Sequence, residues 1–253
     1  MQVHKKFVKE LYFFMEKLIT YEDLRRFAYS NDHLIKGEIK GIVLHFMGLG
    51  YASMRDTDFA DAKEYAEEGV IYVIPYTNPW SWMNRAAVAL TDEIVEVLCE
   101  KYSLGRDVRI VSTGLSMGGL SALTYCAYAA ITPVASVTNC PVCDLPYHFT
   151  ERNDLPRTLY SAFFDYEGTM DQALRSASPV HLAAADKMPR IPYTILHCEE
   201  DAAVNLEKHS AAFAEAMRPY AEVRLLRVPL RGHCELSPRA QMQYRFAVMA
   251  AFA

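Results

Sequence analysis

Gly114-Leu115-Ser116-Met117-Gly118-Gly119 separates an apolar run of strand length, residues 108–113, from an apolar run of helical length, residues 117–130. This is the G-x-S-x-G pattern in the setting that gives it meaning, a strand before and a helix after. A serine on so sharp a turn takes strained backbone angles, and the residues two before and two after it must be nearly free of side chain. Gly114 and Gly118 meet that demand. A helix starting at Met117 brings unsatisfied N–H groups and a positive dipole end to the hydroxyl, which suits a developing oxyanion.

Outward from this turn, short apolar runs alternate with amphipathic helices. Upstream lie a strand at 42–47, a helix at 59–68 closed by Gly69, a strand at 70–74, and a helix with Ala87, Leu90, Ile94, Val97 and Leu98 on one stripe. Downstream come a strand at 134–138, then, after a gap, a strand at 193–197, a helix at 205–218, a strand at 223–228 and a last helix at 239–253. Such βαβ alternation predicts a mostly parallel sheet with helices on both faces. In the gap, Pro146, Pro156, Gly168 and Pro179 punctuate short helical stretches, so roughly 141–185 reads as a helical insertion over the C-terminal edge of the sheet. An opening helix is expected at 7–19, and the whole of 1–253 reads as a single α/β domain.

Composition narrows the partners. With 26 basic and 31 acidic residues the formal charge is −5, which offers a phosphate backbone no field, so nucleic acid is excluded as a partner. No run approaches the length needed to span a bilayer, and the apolar stretch near the N-terminus is broken by Glu16 and Lys17 with no cleavage site after it. A cytoplasmic protein without membrane partners is expected, its six cysteines present as thiols.

A serine hydroxyl needs a base, and the base needs a third group to hold its tautomer. Two loops at strand ends offer these groups: Cys198-Glu199-Glu200-Asp201-Ala202-Ala203-Val204 and Leu230-Arg231-Gly232-His233-Cys234. In a parallel sheet the C-terminal strand ends share one edge, so both loops come to the edge that carries Ser116. Asp201 is the preferred acid, with Glu199, Glu200 and Asp144 as competitors. Of the eight histidines, His45, His181 and His197 read as packed or solvent-facing residues.

These motifs, GLSMGG after a strand, ASP at 177–179 ahead of ILHCEEDAAV, and RGHCEL, resemble the α/β-hydrolase family, in particular its small esterase and prolyl-oligopeptidase-like branch. The resemblance runs from about Ile42 to the C-terminus. It implies the α/β-hydrolase fold with an eight-stranded, mostly parallel sheet, Ser116 as nucleophile, His233 as base and Asp201 as its orienting acid. The chain departs from the pattern at Cys198, where glycine is usual, and at Cys234 after the histidine. Ahead of Ile42 the first strands of the family are not legible.

The oxyanion hole needs a second N–H from the loop His45-Phe46-Met47-Gly48-Leu49-Gly50-Tyr51, where the family's HG-x-G pattern matches at Gly48 and Gly50 with Met47 in place of histidine. The expected donors are the backbones of Leu49 and Met117. Trp80 and Trp82 lie in the loop beyond the strand at 70–74, where aromatic surfaces facing a cleft would bind substrate; the plainer reading has them plugging the loop against the domain. Cys140 and Cys143 form a CxxC that, with Cys198 and Cys234 at the same edge, raises a zinc or redox reading, against which cysteine as apolar filler is the preferred one. The expectation is therefore a serine hydrolase that cleaves small acyl or feruloyl-type carboxylic esters, with no cofactor and no metal. A small serine peptidase, or a non-catalytic or metal-binding module on the same fold, is the competing reading.

Overall fold

Burial along the central strands follows the two-residue period of a sheet covered on both faces. In β2 (Gly41–Phe46), after the short β1 (Ala28–Ser30), Ile42, Leu44 and Phe46 enter one core layer and Val43 the other. In β3 (Val70–Pro75) Ile71 and Val73 join the first layer, and Val70, Tyr72 and Ile74 the second. The sheet continues through β4 (Ile110–Leu115), β5 (Ala135–Asn139), β6 (Tyr193–Cys198) and β7 (Val223–Val228). Its order is β1-β3-β2-β4-β5-β6-β7, with β1 antiparallel to β3 and every other pairing parallel. This is a computed structural model, which describes residues 19–253.

Helices cover both faces. After α1 (Leu24–Phe27) come α2 (Ala60–Glu67), α3 (Arg85–Lys101) and α4 (Met117–Tyr128). Asn84 caps α3 by accepting the N–H of Ala87 at 3.0 Å, and Ala87, Ile94, Val97 and Leu98 are buried, as their spacing predicts. Helix α4 is buried from Met117 to Cys126, which explains why its sequence carries no polar face. Between β5 and β6 stand four short helices, α5 (Leu145–Glu151), α6 (Leu155–Phe163), α7 (Met170–Ser176) and α8 (Pro179–Ala184), where the prolines and Gly168 placed the breaks. After β6, a π-helical turn, Glu207–Ala211, runs into α9 (Ala212–Met217), and α10 (Pro238–Met249) follows β7.

The structure differs from expectation at the ends. The described residues form seven strands, not eight, and β1 is three residues long, too short to leave a periodic trace in the sequence. The last helix stops at Met249 and finishes in a 3₁₀ turn, Ala250–Phe252. The expected opening helix at 7–19 lies outside the described residues except for Ile19.

Candidate active site

Ser116 follows the last residue of β4 and stands at the N-terminal boundary of α4 without a side-chain cap bond, with φ 57° and ψ −122°. A β-carbon on Gly114 would stand 2.2 Å from the carbonyl oxygen of Gly118, and one on Gly118 would stand 2.0 Å from that of Phe46. The two glycines therefore let the turn close and let α4 press against the end of β2. The strained turn is held from both sides: Ser116 N–H donates to Asn139 O at 3.0 Å, and Val142 N–H donates to Ser116 O at 3.2 Å.

The turn after β6 carries Asp201, whose Oδ1 accepts the backbone N–H of Ala203 at 2.8 Å and of Val204 at 2.9 Å. These two bonds fix the carboxylate so that Oδ2 faces the loop after β7. His233 occupies that loop, pinned by Glu200 N–H to Arg231 O at 3.0 Å and by the Asn139 side-chain amide to Cys234 O at 3.1 Å. Nδ1 of His233 lies 2.6 Å from Asp201 Oδ2, and Nε2 lies 2.9 Å from Ser116 Oγ. The three residues, 117 and 32 positions apart, thus form one hydrogen-bonded chain at the C-terminal ends of β4, β6 and β7.

Charge is arranged along that chain. Burial works to raise the Asp201 pKa, but bonds from His197, His233 and the Val204 N–H outweigh it and hold the carboxyl far below its usual range. Burial works to lower that of His233, yet the bond to Asp201, then the neighbouring Cys140, raise it to about 9. Because an ionised carboxylate only accepts, Nδ1 carries the proton shared with Asp201, and in the neutral ring Nε2 is left to accept from Ser116.

His197, which the sequence reads as packed or solvent-facing, also supports the acid loop, a role not foreseen from the sequence. It is fully buried, and its Nε2–H donates to Val204 O at 3.0 Å while Nδ1 accepts from Ser210 Oγ at 2.6 Å. Its Nε2 is also 3.5 Å from Asp201 Oδ2, so it backs the acid loop from the core. The signal available was the H-x-x-x-D spacing of His197 and Asp201, which here is structural.

The competing acids stand elsewhere. Asp144 accepts the N–H of Tyr147 at 3.0 Å and caps α5, and Glu199 and Glu200 are exposed. His45 contacts Thr113 Oγ1 at 3.1 Å, and His181 contacts Ser178 Oγ at 2.9 Å. The expectation of a cleft-facing Trp82 is corrected: its side chain is fully buried and donates Nε1–H to Thr158 Oγ1 at 3.1 Å, anchoring its loop to α6. Trp80 is exposed. Met47, Gly48 and Met117 border one small recess together with Tyr76 and Asn78, and a β-carbon on Gly48 would lie 3.9 Å from that of Ser116. The side chain of Leu49 packs on the core layer of α3 and α4. The CxxC divides, Cys140 packing in the layer of α2 and α10 and Cys143 in that of α8 and α9.

No family model and no curated protein sequence matches the chain. Solved structures do. Acylaminoacyl peptidase of Pyrococcus horikoshii aligns with a TM-score of 0.63 at 16% identity over 83% of this chain and 36% of that one. Porphyromonas gingivalis dipeptidyl peptidase 4 aligns at 0.66 and 13% identity over 85% and 31%. Thermogutta terrifontis esterase 2 aligns at 0.59 and 16% identity over 88% and 86%. The chain thus spans about a third of the length of those peptidases and most of the length of the esterase. It has the α/β-hydrolase fold.

Proposed function

We propose that the chain is a serine hydrolase acting on small carboxylic esters through an acyl-enzyme. The observation that carries this reading is the unbroken chain Ser116 Oγ, His233 Nε2, His233 Nδ1, Asp201 Oδ2, anchored on a serine at positive φ. In the first step His233 takes the hydroxyl proton as Ser116 Oγ bonds to the carbonyl carbon, and the carbonyl electron pair moves to oxygen. The backbone N–H groups of Leu49 and Met117 hold that oxyanion. Collapse expels the alcohol, which takes the proton from His233. Water then attacks the acyl-enzyme by the same route and releases the acid. No step calls on a metal or cofactor.

An ester needs no extended peptide cleft, and the esterase is the neighbour described above whose length this chain matches. The exposed ring of Trp80 is the aromatic surface assigned to the acyl group, and α5–α8 are assigned as the cover over the site. Acylaminoacyl peptidase and dipeptidyl peptidase 4 among the structural neighbours favour a second reading, a small peptidase. The six free thiols agree with a reducing, cytoplasmic setting, and among the described residues no helix is long and apolar enough to cross a membrane.

A fluorophosphonate probe tests the assignment. It should label the protein, and Ser116→Ala should abolish labelling; labelling that persists in the variant sinks the reading. A panel of acetyl, longer acyl and feruloyl esters beside aminoacyl amides separates the two substrate classes.

A further inference from the structure

Two cysteines converge on the histidine of the site. Cys140, immediately after β5, is fully buried, and Cys234, immediately after His233, is half-buried. The ligand-bearing atoms of Cys140, His233 and Cys234 all lie within 4.8 Å of one another, and Cys234 Sγ is 3.5 Å from His233 Nε2. Both cysteines hold backbone in the left-handed region, φ 45° and 62°, where glycine or asparagine sits at lower cost. Neither thiol has a part in the acyl-enzyme route.

We infer that Cys140, Cys234 and His233 form a binding site for a soft divalent cation such as zinc, whose occupancy removes the base from Ser116. The donor set, two thiolates and one imidazole nitrogen, is that of zinc, and a fourth position stays open to water. Tetrahedral zinc holds such ligands about 3.5–3.8 Å apart, a contraction that small side-chain rotations supply. The orienting contact is already present, because a metal-binding histidine characteristically gives its other ring N–H to a carboxylate. Asp201 takes that N–H at 2.6 Å, leaving Nε2 with its lone pair free toward both Ser116 Oγ and Cys234 Sγ. One lone pair serves either the hydroxyl proton or the metal. Binding displaces the protons held by its ligand atoms into solvent, so it strengthens with rising pH.

The same reasoning rejects a second cluster, His148, Glu151 and His209. Nδ1 of His209 accepts the backbone N–H groups of Cys143 and Asp144, both at 3.1 Å, so Nε2 carries the proton and has no lone pair to give.

The metal site stands independently of the hydrolase reading; its effect on activity rests on it. Cadmium titrated into the protein kept reduced with a phosphine should bind one equivalent per chain and raise thiolate-to-metal charge-transfer absorbance. Cys234→Ser and Cys140→Ser should each lose that signal, Ser116→Ala should keep it, and Asp201→Asn should weaken binding about 10–100-fold. Zinc should also block fluorophosphonate labelling of the wild type, reversibly with a chelator, and leave labelling of Cys234→Ser unchanged. Cadmium absorbance unaltered in Cys234→Ser, or zinc inhibition equal in that variant and the wild type, overturns the inference. If Ser116 is not labelled at all, the cadmium result still decides the site. Should buried Cys140→Ser fail to fold, the half-buried Cys234 position carries the test.

Discussion

His209, in the π-helical turn after β6, donates Nε2–H to the carboxylate of Glu151 at the end of α5, 2.9 Å away and 58 positions distant in the chain. The same oxygen of Glu151 accepts from Nδ1 of His148 at 2.5 Å. Burial opposes ionisation of this carboxyl, but the two imidazole bonds prevail and hold its pKa at about 2. The pair therefore fastens α5 to the helix that follows β6.

Removing that fastening should loosen α5 and leave the Ser116–His233–Asp201 geometry in place. Glu151→Ala strands two buried imidazole N–H donors, at about 1–3 kcal/mol for each unsatisfied group. Glu151→Gln keeps an acceptor oxygen and should lose less. Urea unfolding of the two variants against the wild type measures the order, and equal stability of all three would refute it.

The identity of the acid is tested by exchange. Asp201→Asn should preserve the fold and cut ester turnover by up to about 10⁴-fold, because the histidine is then held in the wrong tautomer. Asp144→Asn keeps a side-chain oxygen to accept the Tyr147 N–H and should leave turnover unchanged and stability within about 0.5 kcal/mol of wild type. Steady-state kinetics of both variants with one activated ester distinguishes them, and the reverse pattern would move the acid to the end of β5.

Activity and stability should run in opposite directions with pH. The base works only unprotonated, so kcat/KM should rise with pH on a limb displaced above the free imidazole value of about 6.5 and toward about 9. The folded-state pKa of His233 is raised, so its share of stability is complete below its unfolded value and is lost as pH rises through about 9. Asp201 is depressed, so its share is present above the ordinary carboxylate range and is lost as pH falls through its folded value. A pH–rate profile read beside thermal unfolding across the same range checks the crossing; a limb at or below the free imidazole value would contradict it.

Two glycines should respond oppositely to alanine. At Gly118 the new β-carbon meets the Phe46 carbonyl oxygen at 2.0 Å, so the end of β2 must shift, at about 1–3 kcal/mol in stability, and the loop beside Ser116 shifts with it. At Gly232, one residue before His233, the nearest atom is a Glu235 side-chain oxygen at 3.6 Å, an ordinary contact. Gly232→Ala should remain within about 0.5 kcal/mol of wild type. Phosphonate labelling rates and unfolding midpoints report both.

Much of the site was readable because each member of the triad stands in a short contiguous motif at a strand end. The elbow needs glycines at fixed offsets from Ser116, and the loops of Asp201 and His233 each follow an apolar run. What could not be read depends on the direction in which side chains leave separate strands. Cys140 looked like the partner of Cys143, yet a two-residue spacer after β5 sends them into different core layers, and Cys140 meets Cys234 instead. Trp82 is buried and gives its indole N–H to Thr158 on α6, a residue that no local pattern connects to it. His197 resembled a packed core histidine and is one, but its partner is the acid loop.

The helices between β5 and β6 also divide the proposed machinery by chain order. Ser116 lies before the turn that joins α6 to α7, and Asp201 and His233 lie after it. That turn is exposed from Phe164 to Gly168. A polypeptide opened there yields two fragments, one bearing the nucleophile without a base and the other a base without a nucleophile. They would meet along the β5–β6 pairing, where four residues of each strand stand in register. If Ser116 and His233 act as proposed, each fragment alone should be silent toward a phosphonate, and reassembly should restore the signal. On that reading the division at 164–168 would yield a split reporter whose output requires both halves.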